Sequence, residues 1–261
     1  MIKMILCDGD SWTAGDIVDP KKFGNQTEHV HHPDNTEYRL PRVWPYKLGK
    51  LLGVDVFNNS YAGSSNDGIV RRIIPATLKL LEDYKPEELF VIVGWTSPER
   101  KDFFYDDEFR VFFPPEIMEL EPKDEIDEFK KIYVKYFWEQ QEYITRYAQQ
   151  NYLLHYFFKN KGIKHYFFDA FYEKKYMKCD SNGEEVGGMY NNIELDEEKL
   201  PDKLQKIRDE VFKDKSFRNF LMIDEEHFND DLWDGYHPSE KGHNLWAKEL
   251  YEDLNDKINN I

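Results

Sequence analysis

Four short apolar runs recur along the chain, over residues 4–7, 54–57, 89–93 and 165–168. Each run is rich in β-branched, aliphatic or aromatic side chains and is followed at once by Gly, Asn or Asp. Brief apolar runs with such endings are typical of strands that are buried on both faces of a parallel sheet. We therefore predict parallel strands at these positions.

The segments between the runs place apolar residues three or four positions apart, the spacing of a helix with one buried face. This periodicity predicts helices over residues 43–52, 69–84, 127–159 and 240–258. Gly53 and Gly162 follow two of them, in the position of a C-cap glycine. Strands that alternate with helices predict an α/β fold, namely a three-layer α/β/α sandwich with a central parallel sheet.

Three stretches fit neither period: residues 16–40 are polar, 98–124 are aromatic and acidic, and 172–231 are rich in turn residues. Loops of this length within a compact domain are commonly functional insertions. The sequence shows no internal repeat and no linker that divides the chain. We predict a single domain over residues 1–261 with large insertions at these three places.

The composition excludes several classes of function. The 261 residues include 51 Asp and Glu against 35 Lys and Arg, a formal net charge of −16, which argues against a nucleic-acid partner. Two cysteines are too few for a disulfide framework or a zinc site. No apolar stretch approaches the roughly 18 residues that span a bilayer. We expect a cytoplasmic protein with neither a cofactor nor a bound metal.

Two polar segments carry candidate chemistry. The first predicted strand runs into Gly9-Asp10-Ser11, and ligands of open α/β sheets bind at the carboxyl ends of the strands. Asp10 is expected to fix this turn through backbone hydrogen bonds. Far downstream, Asp234 precedes His237 in a turn that leads into the last helix. A carboxylate there can orient the imidazole, whose outer nitrogen then takes the proton of a serine hydroxyl.

Three motifs, in this order, resemble those of the SGNH (GDSL-type) hydrolase superfamily. They are Gly9-Asp10-Ser11 followed by Gly15, then Asn59-Ser60-Tyr61-Ala62-Gly63-Ser64-Ser65, and last Asp234-x-x-His237-Pro238. The resemblance implies a flavodoxin-like fold with Ser11 as nucleophile, His237 as general base and Asp234 as the residue that orients the base. It also implies an oxyanion hole built from the amides of Ser11 and Gly63.

The third predicted strand departs from the family pattern at a further oxyanion donor. Members of the family carry Gly-x-Asn-Asp there, whereas this chain has Gly94-Trp95-Thr96-Ser97. Thr96 stands in place of the Asn and can donate through its shorter hydroxyl. The side chains that can compensate are those of Asn66, Ser97 and Arg100, and the sequence does not distinguish between them.

The resemblance implies ester hydrolysis through an acyl-enzyme. The polar and aromatic insertions contain no continuous apolar lid, which favours a small, acetyl-like acyl group on a polar or carbohydrate substrate. Because carboxylates concentrate in the insertions, we expect neutral esters to bind better than anionic ones. The expected partner is therefore a small-molecule or glycan ester.

Two other interpretations of the sequence remain open. A strand followed by Asp8-x-Asp10 is similar to the first motif of haloacid-dehalogenase-type phosphatases, in which Asp8 would be the nucleophile and Asp10 the acid beside Mg²⁺. The chain can also be a non-catalytic binding protein that keeps the hydrolase fold. The cluster of His29, His31 and His32 has no second group of ligands, so we predict a polar loop there and no metal site.

Overall fold

The structure is a computed structural model. It describes residues 1–24, 27–113, 121–171, 206–207, 210–213, 216–221, 230–234 and 237–259. Most of the insertion predicted over residues 172–231 lies outside the described residues. None of the described helices combines the length and apolarity that a membrane crossing requires. The assignment of the whole chain to one domain stays a prediction.

Strands and helices alternate along the described chain. The strands are β1 (Met4–Asp8), β2 (Asp55–Asn58), β3 (Leu89–Trp95), β4 (Lys101–Tyr105), β5 (Glu108–Phe112), β6 (Lys164–Asp169), β7 (Trp233–Asp234) and β8 (His237–Pro238). The helices are α1 (Ser11–Ala14), α2 (Pro20–Phe23), α3 (Thr36–Arg39), α4 (Trp44–Leu52), α5 (Asn66–Leu80), α6 (Glu125–Tyr136), α7 (Gln140–Lys161), α8 (Phe217–Leu221) and α9 (Glu240–Asn259). Short 3₁₀ turns lie at Thr27–His29, Pro33–Asn35, Leu40–Arg42, Pro86–Glu88 and Asp230–Leu232.

The central sheet has four parallel strands in the order β2-β1-β3-β6. In this register Leu6 of β1 lies between Phe57 of β2 and Val91 of β3, and Val93 of β3 pairs with Phe167 of β6. Every residue of β3 is buried, as the continuous apolar run predicted. The predicted α/β fold class with a parallel sheet is confirmed.

Helices cover both faces of the sheet. Neighbouring residues of a strand point to opposite faces, and Phe167 and Phe168 show what lies on each. Phe168 contacts Trp44 of α4 and Trp246 of α9, with ring centres 5.5 and 5.2 Å away. Phe167 contacts Phe158 of α7 on the other side, at 6.5 Å. The helix pair α4 and α9 and the helix pair α5 and α7 are therefore the outer layers of the sandwich.

The aromatic segment predicted as one helix over residues 127–159 forms two helices, α6 and α7, so the prediction of a continuous helix was wrong. Trp138 lies in the break, partly buried against the core, and stacks on Tyr143 with 6.2 Å between ring centres. Phe137, its neighbour, is 63% exposed. The break between the two helices places the Trp138 ring against the core. Neither Gly nor Pro marks this break in the sequence.

The stretch predicted as an irregular insertion over residues 98–124 contains a β-hairpin, because β4 pairs antiparallel with β5. The hairpin leaves directly from the carboxyl end of β3 and turns at Asp106 and Asp107, both with positive φ. Helix α5 begins earlier than predicted, at Asn66, since the Ser65 hydroxyl accepts a hydrogen bond from the Gly68 amide as an N-cap.

Candidate active site

A tight turn at the carboxyl end of β1 presents Ser11. The turn passes through Gly9, where an added Cβ would lie 2.4 Å from the Thr13 hydroxyl oxygen and 2.9 Å from the Gly94 carbonyl oxygen. Only glycine fits so close to two neighbours. Ser11 is the first residue of α1 and is 6% exposed. The sequence therefore places a serine hydroxyl at the edge of the sheet where α/β proteins bind ligands.

The Asp10 carboxylate fixes this turn, as expected of a supporting residue. One oxygen, Oδ1, accepts a hydrogen bond from the Trp12 amide at 3.0 Å and so caps α1. The other, Oδ2, accepts from the Thr96 hydroxyl at 2.7 Å. Because Asp10 is fully buried, both bonds lie away from water and are strengthened by their surroundings. They join the turn that carries Ser11 to the end of β3.

The structure brings His237 to Ser11 although the two are 226 positions apart. The Nε2 atom of His237 lies 3.0 Å from Ser11 Oγ, which is hydrogen-bond distance. His237 begins β8, which pairs with the two-residue strand β7 immediately before α9. The structure therefore brings together two residues that the sequence assigned to one site.

The carboxylate at the other nitrogen of His237 belongs to Asp16. Its Oδ2 atom lies 3.1 Å from His237 Nδ1. The sequence predicted Asp234 at this position, whereas the structure places Asp16 there. Asp234 pairs with His237 only through the backbone of β7 and β8, and it is exposed. No hydrogen bond or ion pair joins its carboxylate to another of the described residues.

Burial and neighbouring charges both shift the pKa of Asp16. Burial raises the pKa of its carboxyl group, the neighbouring His237 opposes that rise, and the negative charge of Asp234 adds to it. The cationic Arg39 lowers the pKa of Asp16 as well. Asp16 comes just after the glycine that ends α1, so the turn that presents Ser11 also presents its acid. The sequence signal that could have pointed to Asp16 is its position, five residues after Ser11.

The backbone amides of Ser11 and Gly63 have no hydrogen-bond acceptor among the described residues. The Ser11 amide is at the first position of α1, where the helix offers no partner for it. The Gly63 amide belongs to a turn with φ of +74°, a conformation that favours glycine. Neither amide donates a hydrogen bond within the described residues. Both are the donors that the sequence assigned to an oxyanion hole.

The histidine loop supports the segment that carries Gly63, a role that the sequence did not predict. His31 Nε2 accepts a hydrogen bond from the Ala62 amide at 3.0 Å, and its ring stacks on Tyr61 with 4.3 Å between ring centres. Burial, aided by the charges of Arg39 and Arg72, lowers the pKa of His31 to about 4. His31 is therefore neutral near pH 7, as an acceptor must be.

The other two histidines of the cluster pack away from that contact. The rings of His29 and His32 lie 4.8 and 5.2 Å from the ring of Phe23. His32 Nδ1 accepts a hydrogen bond from the Asp34 amide at 3.2 Å. No group of three His, Cys, Asp or Glu side chains in the described part of the chain is arranged to hold a metal ion.

Thr96 does not supply the missing oxyanion donor, because its hydroxyl donates to Asp10. Asn66 is also engaged: its side chain donates to the Thr96 carbonyl at 3.0 Å and accepts from the Thr96 amide at 2.9 Å. The Ser97 hydroxyl donates to Glu99. Arg100 keeps several N–H donors that no described residue engages.

Asp8, the nucleophile in the phosphatase interpretation, is fully buried and faces a cation of the protein itself. Arg72 Nη2 lies 2.6 Å from Asp8 Oδ1, and the Asn59 side chain donates to Oδ2 at 2.8 Å. Burial raises the pKa of Asp8 to about 6, and Arg72 opposes that rise. Both carboxylate oxygens are engaged, and the guanidinium stands where a phosphatase would need Mg²⁺.

The described site is thus an array of Ser11, His237 and Asp16 at the carboxyl edge of a parallel sheet flanked by helices. The chain belongs to the family of unknown function DUF6071, whose model matches residues 25–259. That range begins after Ser11 and Asp16 and includes His237. A comparison with curated proteins finds no match.

Solved structures of similar fold include esterases and lipases. The psychrotrophic esterase EstA from Pseudoalteromonas sp. is 13% identical, with a TM-score of 0.48 over 98% of this chain and 99% of that one. A member of the lipolytic protein G-D-S-L family from Veillonella parvula DSM 2008 is 13% identical, with a TM-score of 0.45 over 97% and 98%. A GDSL-like lipase from Bacteroides thetaiotaomicron VPI-5482 is 12% identical, with a TM-score of 0.44 over 98% and 89%.

The Asp8–Arg72 ion pair should be required for stability. Arg72→Met leaves a buried carboxylate without its cation, and we expect a loss of about 3–5 kcal/mol in the free energy of unfolding at pH 8. Without Arg72 the pKa of Asp8 rises further, so the folded state takes up a proton as the pH falls and the loss shrinks at pH 5. Urea unfolding at both pH values measures this.

Lys79→Met is the matched control, since the Lys79–Glu82 pair is largely exposed, with side chains 75% and 67% accessible. It should change the free energy of unfolding by less than about 1 kcal/mol at either pH. An Arg72→Met protein as stable as the control, or equally destabilised at pH 5 and pH 8, would contradict the assignment of a buried ion pair.

His31 should resist protonation. We expect its ring to titrate with a pKa of about 4 in NMR spectra of the folded protein, against the ordinary 6.5. The unfolded chain takes up this proton at higher pH than the folded chain, so His31 lowers stability as the pH falls from about 6.5. The His31→Ala variant assigns the resonance. A midpoint near 6.5 would mean that His31 does not accept from Ala62.

Proposed function

We propose that the protein is a serine ester hydrolase in which Ser11 is the nucleophile and His237 the general base. The observation that carries the proposal is the 3.0 Å contact between His237 Nε2 and Ser11 Oγ, with the Asp16 carboxylate 3.1 Å from Nδ1. A serine hydroxyl is a weak nucleophile at its ordinary pKa and needs a base so placed. The roles of the three groups, rather than their order in the chain, define such a site.

The reaction follows from this geometry. The Ser11 oxygen attacks the acyl carbon, its proton passes to His237 Nε2, and the carbonyl electron pair moves onto oxygen. The amides of Ser11 and Gly63 bind that oxyanion. Collapse re-forms the carbonyl and expels the alcohol, which takes the proton from His237. Water, deprotonated by His237, then attacks the acyl-enzyme, and the acid leaves as Ser11 regains its proton.

Asp16 completes the array by holding the His237 ring and stabilising its protonated form. Its negative charge is needed for that role, so Asp16 must be ionised. Asp234 acts on the site through its charge alone, since it raises the pKa of Asp16. In this proposal Asp234 is not part of the catalytic array.

The substrate that best fits the chain is an uncharged ester with a small acyl group on a polar or carbohydrate moiety. The net charge of −16 disfavours anionic substrates. The Ser11 residue is 6% exposed, and a nucleophile with so little accessible surface favours a small acyl group.

The serine assignment is tested by hydrolysis of p-nitrophenyl acetate. We expect Ser11→Ala to lower kcat/KM by at least about 10³-fold and EDTA to leave the wild-type rate unchanged. Thr145→Ala removes a hydroxyl from the exposed side of α7 and serves as the control, with activity like the wild type. Wild-type rates in Ser11→Ala would contradict the proposal. So would Mg²⁺-dependent phosphatase activity that is lost in Asp8→Asn.

The choice of acid is tested by comparing Asp16→Asn with Asp234→Asn. Loss of the carboxylate at Nδ1 can cost about 10⁴-fold in kcat, so we expect a large loss in Asp16→Asn and a change of a few-fold in Asp234→Asn. Removing the Asp234 charge lowers the pKa of Asp16, so the acidic limb of the pH–rate profile should move to lower pH. A large loss in Asp234→Asn alone would restore the assignment made from the sequence.

A further inference from the structure

The proposed hydrolysis leaves a place for a third oxyanion donor, and Arg100 contacts both segments that carry the proposed amide donors. Its Nη1 atom is 3.3 Å from the Ser64 carbonyl oxygen and 3.7 Å from Asp10 Oδ2. Ser64 follows Gly63, and Asp10 precedes Ser11. The guanidinium is thus held between the segment that carries Gly63 and the turn that carries Ser11.

The Arg100 guanidinium has donors to spare. It carries five N–H donors, and its contacts within the described residues, to Ser64 and Asp10, both involve Nη1. The remaining donors make no hydrogen bond or ion pair with a described residue. By contrast, the hydroxyl of Thr96 donates to Asp10, and the side chain of Asn66 is held by the Thr96 backbone through one donated and one accepted hydrogen bond. Among the candidates named from the sequence, Arg100 is therefore the cationic one, and several of its donors are engaged by no described residue.

The surroundings of Arg100 strengthen any bond that it makes. The residue is 8% exposed, and its guanidinium carbon lies 5.3 Å from the ring centre of Phe113 and 5.9 Å from that of Phe171. Aromatic rings exclude water and lower the local dielectric constant, so a charge-assisted hydrogen bond is stronger there than in solvent. Asp10, itself held by Trp12 and Thr96, keeps the guanidinium in place.

We propose that Arg100 donates a hydrogen bond to the oxyanion and replaces the missing side-chain amide as the third donor. The inference rests on the proposed ester hydrolysis. When Ser11 attacks, the carbonyl electron pair moves onto oxygen and Arg100 stabilises that charge without giving up its proton. When the intermediate collapses, the charge returns to the carbonyl bond and the hydrogen bond weakens. Because the contact forms with the charged intermediate, Arg100 should act on kcat more than on KM.

The test compares wild type, Arg100→Gln, Arg100→Lys and Arg110→Gln in p-nitrophenyl acetate hydrolysis. Loss of one oxyanion donor costs about 10²–10³-fold in kcat, which is the loss expected for Arg100→Gln with KM within a few-fold of the wild type. Arg100→Lys keeps a cation near Asp10 and should lose less. Arg110 forms ion pairs with Asp106 and Glu108 in the hairpin, away from Ser11, so Arg110→Gln should match the wild type.

A boronic acid gives a readout that a merely structural role would not move. It forms a tetrahedral anion on an active serine and so mimics the intermediate. Its inhibition constant should rise across the Arg100 variants in parallel with the fall in kcat/KM, while their melting temperatures show that they fold. If Arg100→Gln does not fold, Arg100→Lys carries the same comparison.

The possible outcomes distinguish the role of Arg100 from the proposed ester hydrolysis on which it rests. Wild-type turnover with an unchanged kcat in Arg100→Gln, or an unchanged boronate constant in a slowed variant, would overturn the role of Arg100 and leave the hydrolase standing. Absence of ester turnover in the wild type would overturn both. A fall in kcat matched by weaker boronate binding supports both.

Discussion

The candidate site depends on the buried carboxylate of Asp10. It caps α1 through the Trp12 amide, accepts the Thr96 hydroxyl at the end of β3, and lies 3.7 Å from the Arg100 guanidinium. A buried charge is costly unless it is fully bonded, so these contacts are mutually required. Asp10 fixes the direction in which Ser11 leaves the sheet, and it removes Thr96 from the pool of oxyanion donors.

The polar insertion between β1 and α4 builds much of this site. It supplies Asp16 at His237, and His31 beneath the segment that carries Gly63. It also supplies Arg39, whose buried guanidinium donates to the Ala14 carbonyl at the end of α1. The insertion is a structural part of the site, since its side chains are bonded to the turns on either side of Ser11. Asp16 and Ser11 therefore come from the same end of the chain.

The fold could be predicted from the sequence because β1 and β3 are almost wholly buried and read as continuous apolar runs, whereas the edge strand β2 is partly exposed. The break between α6 and α7 could not, since Trp138 returns to the core through tertiary packing that leaves no Gly or Pro in the sequence. Ser11 and His237 were found from motifs whose chemistry is local. Asp16 was not, because the carboxylate that meets an imidazole is decided by which side chain faces inward, and spacing favoured the exposed Asp234.

The most direct measurement of whether Ser11 is an activated nucleophile is a covalent one. A fluorophosphonate reacts with a serine only where a base has prepared the hydroxyl and an oxyanion site receives the phosphoryl oxygen. After incubation and digestion, mass spectrometry should place one adduct on the peptide that contains Ser11, and Asp16→Asn should slow its formation. An unlabelled wild-type protein, under conditions that fully label a control serine hydrolase, would contradict this view of the site, as would an adduct on another residue.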